Sequence, residues 1–314
     1  MKMKRIFLAL VGFMVLMGDL SALAAQKAEQ RTKALSFFIL ANPFPQVPDL
    51  MTVYETVTPA VTEGDVRKLM AAFGMKGEVG DRKRQWIVRD GPKTLEVFKE
   101  PGTGYLRFSN DEKLGAEREA RNLPSAEAAV AKAKGFLNDR GMLLDGMVLT
   151  GVGFFDYDIR DAKGQTVKSG KSAIQVGFGF VLDGRRVEGP GAKAGVVFGE
   201  DAEIIGTSWI YRTLKPARKV KIMTPEEALS KFKQRWPPEG DPQQFRQAPV
   251  RTEVVIKDVR LTYFAEPGLI PQKALRPVYM FEGDFTVTKK TDKGEVREAD
   301  RFSLMIPAEA GGLN

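Results

Sequence analysis

The chain of 314 residues contains no cysteine and no histidine. Without cysteine it can form no disulfide, carry no thiol nucleophile and accept no lipid at a processed N-terminal cysteine. Without histidine it lacks the side chain whose ordinary pKa lies nearest neutral pH. Together the two absences exclude Ser-His-Asp and Cys-His catalysis and the common zinc sites. We therefore predict a protein that is not an enzyme and that uses no metal and no cofactor.

The chain also lacks a hydrophobic run long enough to cross a membrane comfortably, which requires ~20 residues. Its longest apolar run, Ile6–Met17, instead follows the bases Lys2, Lys4 and Arg5 and precedes the small-residue segment Ala22–Ala25. This order is typical of a cleavable secretory signal peptide over residues 1–25. We predict an exported protein, periplasmic, extracellular or associated with the cell envelope, with no transmembrane segment after signal removal; an uncleaved anchor is the alternative.

Basic residues exceed acidic ones, with 48 Lys and Arg against 40 Asp and Glu and a net charge of +8. Removing the predicted signal peptide lowers this charge to +6. Such an excess favours acidic partners, such as another envelope protein, lipid headgroups or an anionic envelope polymer. The charges are interspersed rather than clustered, and the protein is predicted to be exported, so we expect no nucleic-acid partner.

Residues 26–50 have the composition of a linker. They end in Asn42–Pro48, where closely spaced prolines oppose a helix. The preceding segment Ala34–Leu40 is apolar. It is expected to form either a short edge strand or an exposed arm that contacts a partner.

Three repeats, each with one short amphipathic helix and several antiparallel strands, are predicted for the rest of the chain. We place them at residues 51–115, 120–216 and 217–314. The helix N-caps are Thr62, Ser125 and Thr224. Helices confined to one sheet face define the α+β class. The expected fold is therefore α+β, with repeated units of one helix packed on one face of a twisted antiparallel sheet.

The clearest strand pattern lies between Ser172 and Leu214. One parity of its first strand carries only large apolar residues: Ile174, Val176, Phe178, Phe180 and Leu182. Alternation of this kind indicates a strand with one buried face. Asp183-Gly184 is a dipeptide typical of a tight hairpin turn, and Ile204–Tyr211 continues as a further strand. The pattern predicts an antiparallel meander.

The run Val187–Gly206 (VEGPGAKAGVVFGEDAEIIG), with Trp209, Tyr211 and Arg212 after it and the helix opening TPEEAL at Thr224, resembles the PepSY-like and YycI/YycH-like extracytoplasmic modules. The resemblance covers roughly residues 125–307. It implies an α+β fold that binds proteins without catalysis, as in secreted protease propeptides and regulators of envelope sensor kinases. Two departures from those families are expected: no protease domain follows the matching region, and the predicted cleavable signal takes the place of an anchoring helix.

Six residues near the end of the meander are candidate partner-binding residues: Trp209, Tyr211, Arg212, Lys215, Arg218 and Lys219. Aromatic residues and arginine are common anchors of protein interfaces. Trp209 and Tyr211 lie on the same strand face as Ile205, so they can equally be expected to pack in the core. The bases equally allow a solvated connection between repeats.

A carboxylate pair is the remaining route to catalysis. Glu282 and Asp284 share one strand parity, which places their side chains about 7 Å apart at a rise near 3.3 Å per residue. Glycosidases use carboxylate pairs at similar spacing. A solvated strand face is the alternative.

A calcium loop is suggested by Asp156, Asp158 and Asp161 with Gly164, which approach the required Asp-x-Asp-x-Asp-Gly spacing without matching it. Turn and surface acids are the alternative.

These observations favour an exported, non-catalytic binding, regulatory or scaffolding protein of the cell envelope. The alternatives are a propeptide-like inhibitor or folding helper of a secreted protease, which would present a sheet edge, and a carboxylate-dependent hydrolase of envelope polymers.

Overall fold

A computed structural model describes residues 36–57, 61–99, 104–115, 118–237 and 251–311. The predicted signal peptide lies outside these residues. Strands account for 55% of the described residues and helices for 16%. The chain divides into two units, which we call the terminal unit (Met1–Asp49, Lys221–Leu261 and Val278–Asn314) and the central unit (Leu50–Val220 and Thr262–Pro277).

The first eight strands are β1 (Ser36–Leu40), β2 (Leu50–Val57), β3 (Val79–Asp81), β4 (Gln85–Asp90), β5 (Lys93–Phe98), β6 (Gly104–Asn110), β7 (Met147–Arg160) and β8 (Thr166–Leu182). The others are β9 (Arg185–Glu188), β10 (Lys193–Phe198), β11 (Ile204–Tyr211), β12 (Thr213–Lys221), β13 (Arg251–Phe264), β14 (Ala274–Leu275), β15 (Pro277–Thr291) and β16 (Gly294–Pro307). The helices are α1 (Glu63–Ala72), α2 (Asp111–Leu114), α3 (Ala126–Asn138) and α4 (Pro225–Arg235), with a 3₁₀ turn at Glu200–Ala202.

Thirteen strands belong to one mixed sheet. In the central unit the order is β9-β8-β10-β11-β6-β5-β4-β3, and β7 pairs with β8 outside this order. In the terminal unit the order is β16-β15-β13, and β1 runs parallel to β13. A second sheet has the order β12-β2-β14.

The predicted α+β fold of repeated helix-on-sheet units is wrong. β11, from the predicted second repeat, pairs with β6, from the predicted first repeat, so that Trp209 lies opposite Leu106. α1 and α3 contribute Val66 and Phe136 to the same core rather than to one core each. Periodicity along the sequence reveals a strand but not the strand it pairs with, and the strands here pair across the predicted repeat boundaries.

The three predicted helix starts are confirmed. Thr62 and Thr224 each close a capping box, with Asp65 and Glu227 as the respective third helical residues. The Ser125 side chain accepts a hydrogen bond from the backbone N–H of Ala128 at 3.2 Å. Each cap satisfies a backbone donor that the first helical turn leaves unpaired. None of the described helices combines the length and apolar composition needed to cross a membrane.

The predicted face of β8 is buried. Ile174, Val176, Phe178 and Phe180 are between 0% and 4% exposed, and all but Phe180 belong to the main core of the central unit. Leu182, the last predicted residue of this face, is only half-buried. The strand ends in the predicted turn, where Asp183 has φ 50° and Gly184 has φ 72°. Two consecutive positive φ values are what a type I′ hairpin turn requires.

Two tyrosine hydroxyls hold this turn of the central unit. Tyr54 donates to Asp183 Oδ1 at 2.7 Å, and the Tyr263 hydroxyl lies 2.9 Å from Asp183 Oδ2 and 2.9 Å from the carbonyl oxygen of Thr52. Burial, followed by the hydrogen bond and the negative charge of Asp183, raises the pKa of Tyr54 to about 12 and raises that of Tyr263 further. The carboxylate therefore joins the β8–β9 turn to β2 and β13.

Stability is expected to fall at alkaline pH because of these tyrosines. A folded-state pKa above the ordinary value of 10.0 favours the folded state below pH 10, and this contribution is lost as pH rises through about 12. Tyr54→Phe should weaken the dependence of unfolding free energy on pH across that interval, as measured by urea unfolding at several pH values. An unchanged alkaline slope in this variant would contradict the assignment.

Aromatic rings form the core of the terminal unit. The Phe232 ring, fully buried on α4, lies 4.8 Å from Phe281, 5.6 Å from Phe302, 5.7 Å from Trp236 and 5.9 Å from Phe38, measured between ring centroids. Phe38 belongs to β1, the strand formed by the apolar segment of the predicted linker. β1 is thus attached to this unit both by backbone pairing and by ring packing.

Candidate functional site

An apolar groove opens in the central unit and has a cavity volume of 390 Å³. Its walls come from α1, β5, β6, β11 and the segment after α3. We call it the aromatic groove. Its uncharged lining residues are Val61, Leu69, Val97, Phe98, Tyr105, Leu106, Met142, Trp209, Tyr211 and Thr213. The volume lies in the range of ~300–1,000 Å³ that is typical of ligand pockets.

Trp209 is fixed in the groove by its polar edge. Its Nε1 donates to the carbonyl oxygen of Met142 at 3.0 Å. In register, Trp209 lies opposite Leu106, and Leu106 lies opposite Val97, so one row of side chains crosses three adjacent strands. With its N–H satisfied, the indole presents its apolar ring to the groove.

Tyr211 continues this wall two residues along β11. Its ring centroid lies 5.8 Å from that of Trp209 and 4.7 Å from that of Phe180. Burial raises the pKa values of both Tyr211 and Tyr105 above the ordinary tyrosine value, which by itself keeps the hydroxyl protonated at neutral pH. Neither hydroxyl has a hydrogen-bond partner within the described part of the chain. Each is available to donate to a bound molecule.

The charged rim of the groove consists of Asp65, Lys68 and Arg140. Asp65 accepts hydrogen bonds from the Thr62 hydroxyl and backbone, and this lowers the pKa of its carboxyl group. Lys68 Nζ lies 3.6 Å from Asp65, and its side chain is 83% exposed. A solvated pair of this kind contributes little to stability, which leaves Lys68 available to an anionic group.

Arg140 joins the ends of two helices at this rim. It donates to the carbonyl oxygens of Phe136 at 2.9 Å and Ala72 at 3.4 Å, and its guanidinium lies 3.9 Å above the Phe136 ring. A cation is favourable at helix C-termini, where carbonyl groups are unpaired. No carboxylate of the described residues forms an ion pair with Arg140, so the rim carries a net positive charge.

The six predicted partner-binding residues lie in three different environments. Trp209 and Tyr211 line the aromatic groove, whereas Arg212 points away from it and is 3% exposed. The other three residues, Lys215, Arg218 and Lys219, are exposed on β12, an edge strand of the three-stranded sheet. Side chains that are neighbours in sequence therefore lie in different environments, because successive side chains of a strand point to opposite faces of the sheet.

Arg212 stabilises the backbone around it. Its Nη1 lies 2.8 Å from the carbonyl oxygen of Glu266 and 3.3 Å from that of Gly191, and its Nη2 donates to Pro267 and Ile270, each at 3.0 Å. Burial lowers the pKa of its guanidinium. A Cβ at Gly191 would collide with this guanidinium and with the Glu266 carbonyl, which explains the glycine.

The carboxylate pair proposed for catalysis is engaged in ion pairs. Asp284 pairs with Lys257, and Glu282 accepts from Arg260 Nη2 at 2.9 Å. All four side chains are between 38% and 57% exposed. Because each carboxylate is neutralised on an exposed sheet face, the arrangement lacks the buried acid that a glycosidase needs.

The acids of the suggested calcium loop do not converge. Asp161 accepts from the backbone N–H groups of Lys163 and Gln165 and so stabilises the turn between β7 and β8. Asp156 and Asp158 are exposed on β7. Across the described ranges, no group of three Asp or Glu residues is placed to hold a metal ion.

Sequence reasoning identified Trp209 and Tyr211 but missed the other walls of the groove. Leu69, Phe98 and Tyr105 have no local signal that distinguishes them from ordinary helix-face and strand residues. The rings of Phe98 and Tyr105 lie 4.6 Å apart between centroids, next to the last pair of the β5–β6 ladder, Val97 and Leu106. That contact depends on hairpin register, and the proximity of both residues to β11 depends on a pairing that local patterns do not encode.

No protein-family model matches the chain, and no curated protein matches it significantly. Among solved structures, an uncharacterized protein from Eubacterium rectale ATCC 33656 is similar to it with a TM-score of 0.48 and 9% sequence identity. The match covers 88% of this chain and 90% of that chain. It assigns neither a family nor an activity.

Proposed function

We propose that this chain is an exported, non-catalytic binding protein of the cell envelope, with a regulatory or scaffolding role, and that its aromatic groove holds an apolar side chain of a partner protein. The observation that carries the proposal is the open groove walled by Trp209 and Tyr211. Aromatic pockets that take one or two anchor side chains are typical of energetically important interface positions.

The charged rim indicates the chemistry around that anchor. Lys68 and Arg140 supply two positive charges against the single carboxylate of Asp65, which Thr62 already engages. An acidic group beside the apolar anchor would therefore be attracted to the rim, and salt would weaken that attraction. The hydroxyls of Tyr105 and Tyr211 can donate hydrogen bonds to the same group.

Export is supported by the signal-like N-terminus, and the absence of catalysis is supported by the absence of histidine and cysteine. We do not extend the proposal to hydrolysis, because Glu282 and Asp284 are both ion-paired on an exposed face.

Site-specific photocrosslinking tests this proposal. A photoreactive residue at position 68, on the groove rim, should form a defined adduct with an envelope protein, whereas the same residue at Lys134, exposed on α3, should not. Thr213→Trp, which fills the groove from an exposed lining position, is expected to reduce the adduct at least about tenfold, the effect of losing one anchor contact.

Two outcomes would contradict the proposal. One is an equal yield of adducts from positions 68 and 134, and the other is an adduct that Thr213→Trp leaves unchanged. Thermal unfolding of each variant serves as the control for folding, because Thr213 is exposed and its replacement should leave the unfolding midpoint nearly constant.

A further inference from the structure

The long strand β7 has one unpaired edge. It pairs with β8 on one side, and no described strand pairs with its other side. Large apolar side chains are exposed on this hairpin by 39% to 62%: Leu149, Phe154, Phe155 and Val167. An unpaired edge with exposed apolar side chains is a template for another strand.

β12, an edge strand of the three-stranded sheet, is by contrast protected against such pairing. It carries Lys215, Pro216, Arg218 and Lys219 within five positions. Lysine and proline on an edge strand oppose the addition of a further strand. The segment Met147–Phe155 of β7 contains neither residue type, so this protection is absent there.

The geometry of β7 defines where a second strand fits. Its register with β8 shifts between Leu149 and Gly151 and again between Phe155 and Asp156. Such irregularities interrupt a ladder. The regular run between them is Gly151–Phe155, and its central residue is Gly153. Antiparallel pairing of two β7 strands about Gly153 places the regular run of one copy against the regular run of the other.

Side chains in this register are complementary. Gly151 lies opposite Phe155 of the second copy, and Val152 lies opposite its Phe154. A Cβ added at Gly151 or Gly153 would meet no atom within 4 Å, so there is space for an aromatic ring beside them. Pairs of aromatic with β-branched residues, and aromatic rings placed across from edge glycines, stabilise antiparallel strands.

The charges of β7 are compatible with this register. About Gly153, Asp156 faces Thr150 of the second copy, and Asp158 faces its Val148. Pairing about Tyr157 would instead place Asp156 opposite Asp158, and like charges directly opposite destabilise a sheet. Asp156 and Asp158 are thus compatible with pairing centred on Gly153, whereas they oppose pairing centred on Tyr157.

We infer that two copies of this chain form a twofold-symmetric dimer through antiparallel pairing of their β7 strands, centred on Gly153. Self-complementary contacts between identical surfaces generate closed dimers of this kind. The inference is independent of the proposed groove function. Because the regular run is short, the dimer is expected to dissociate on dilution.

The cysteine-free chain allows a direct test. Gly153→Cys, in the full-length chain expressed with its native N-terminus, should form an intermolecular disulfide under mild oxidation, because opposed antiparallel residues lie ~4.5–5.5 Å apart between Cα atoms, within disulfide range. Val167→Cys, exposed on β8 of the same hairpin, is the control and should remain largely monomeric.

A charge exchange tests the register. In the G151K/F155K variant each introduced lysine faces a lysine of the second copy, and in G151K/F155E it faces a glutamate. Sedimentation velocity should show the dissociation constant at least about tenfold higher for G151K/F155K than for G151K/F155E, since the contact between position 151 and position 155 of the second copy occurs twice by symmetry. Both positions are exposed, so both variants should fold.

The inference is overturned by a chain that stays monomeric at all concentrations, by a dimer that both charge variants leave unchanged, or by equal disulfide yields from positions 153 and 167. Capture of a different protein at β7 by a chain that remains monomeric would also overturn it. Should a charge variant unfold, the disulfide comparison alone decides between the outcomes.

Discussion

Arg212→Ala is expected to lower the free energy of unfolding by about 3–5 kcal/mol, because it removes a buried cation that binds four backbone carbonyl groups in the central unit. The carbonyl oxygens of Gly191, Glu266, Pro267 and Ile270 accept from its guanidinium, and the side chain is 3% exposed. Alanine would leave these acceptors facing a cavity. Urea unfolding of the full chain measures the change.

Arg212→Lys should recover only part of this loss. Lysine keeps the charge but presents a single ammonium group, which cannot reproduce the two-pronged contact of Nη1 and Nη2. Arg107→Ala, an exposed arginine on β6, is the matched control and should change the unfolding free energy by no more than about 0.5 kcal/mol. A loss below about 1 kcal/mol for Arg212→Ala would show that water replaces the guanidinium without penalty.

Phe232→Ala is expected to destabilise the terminal unit by about 3–5 kcal/mol, the usual cost of removing a buried aromatic ring. Phe232 is fully buried, and four other rings lie within 6 Å of it, measured between centroids. These four rings cannot all move into the space that the Phe232 ring leaves. Calorimetric unfolding and near-ultraviolet circular dichroism should both report the loss of packing.

Phe37→Ala provides the comparison for Phe232→Ala. Phe37 precedes the partly buried Phe38 on β1 but is 54% exposed, with Arg251 4.9 Å from its ring centroid. Its replacement is expected to cost less than about 1 kcal/mol. Equal effects of the two substitutions would contradict the assignment of Phe232 to the centre of the core.

Local sequence signals identified much of the secondary structure. Thr224 with Glu227 marked the start of α4, Asp183-Gly184 marked the hairpin after β8, and the alternation from Ile174 to Phe180 marked its buried face. Each signal depends on groups within a few residues: a side chain reaching the next helical turn, a positive φ, or a side-chain period of two. In this chain these signals are confirmed.

The architecture was predicted incorrectly for a related reason. Three similar local patterns suggested three repeats, yet β6 pairs with β11, and the predicted linker supplies β1 to β13. Both pairings join residues far apart in the chain. The local sequence around Tyr105 and Ile210 does not specify that these two residues lie opposite each other, because many strands share the same apolar alternation.

The sequence by itself determined where helices begin, where hairpins turn and that Ile174 to Phe180 form a buried stripe on β8, because those features depend on nearby groups. Tertiary structure alone decided that Trp209 and Tyr211 line a groove with Phe98 and Leu69, while their neighbour Arg212 binds carbonyl groups inside the unit. Side chains on one strand alternate between faces, but only the pairing of distant strands decides what each face meets.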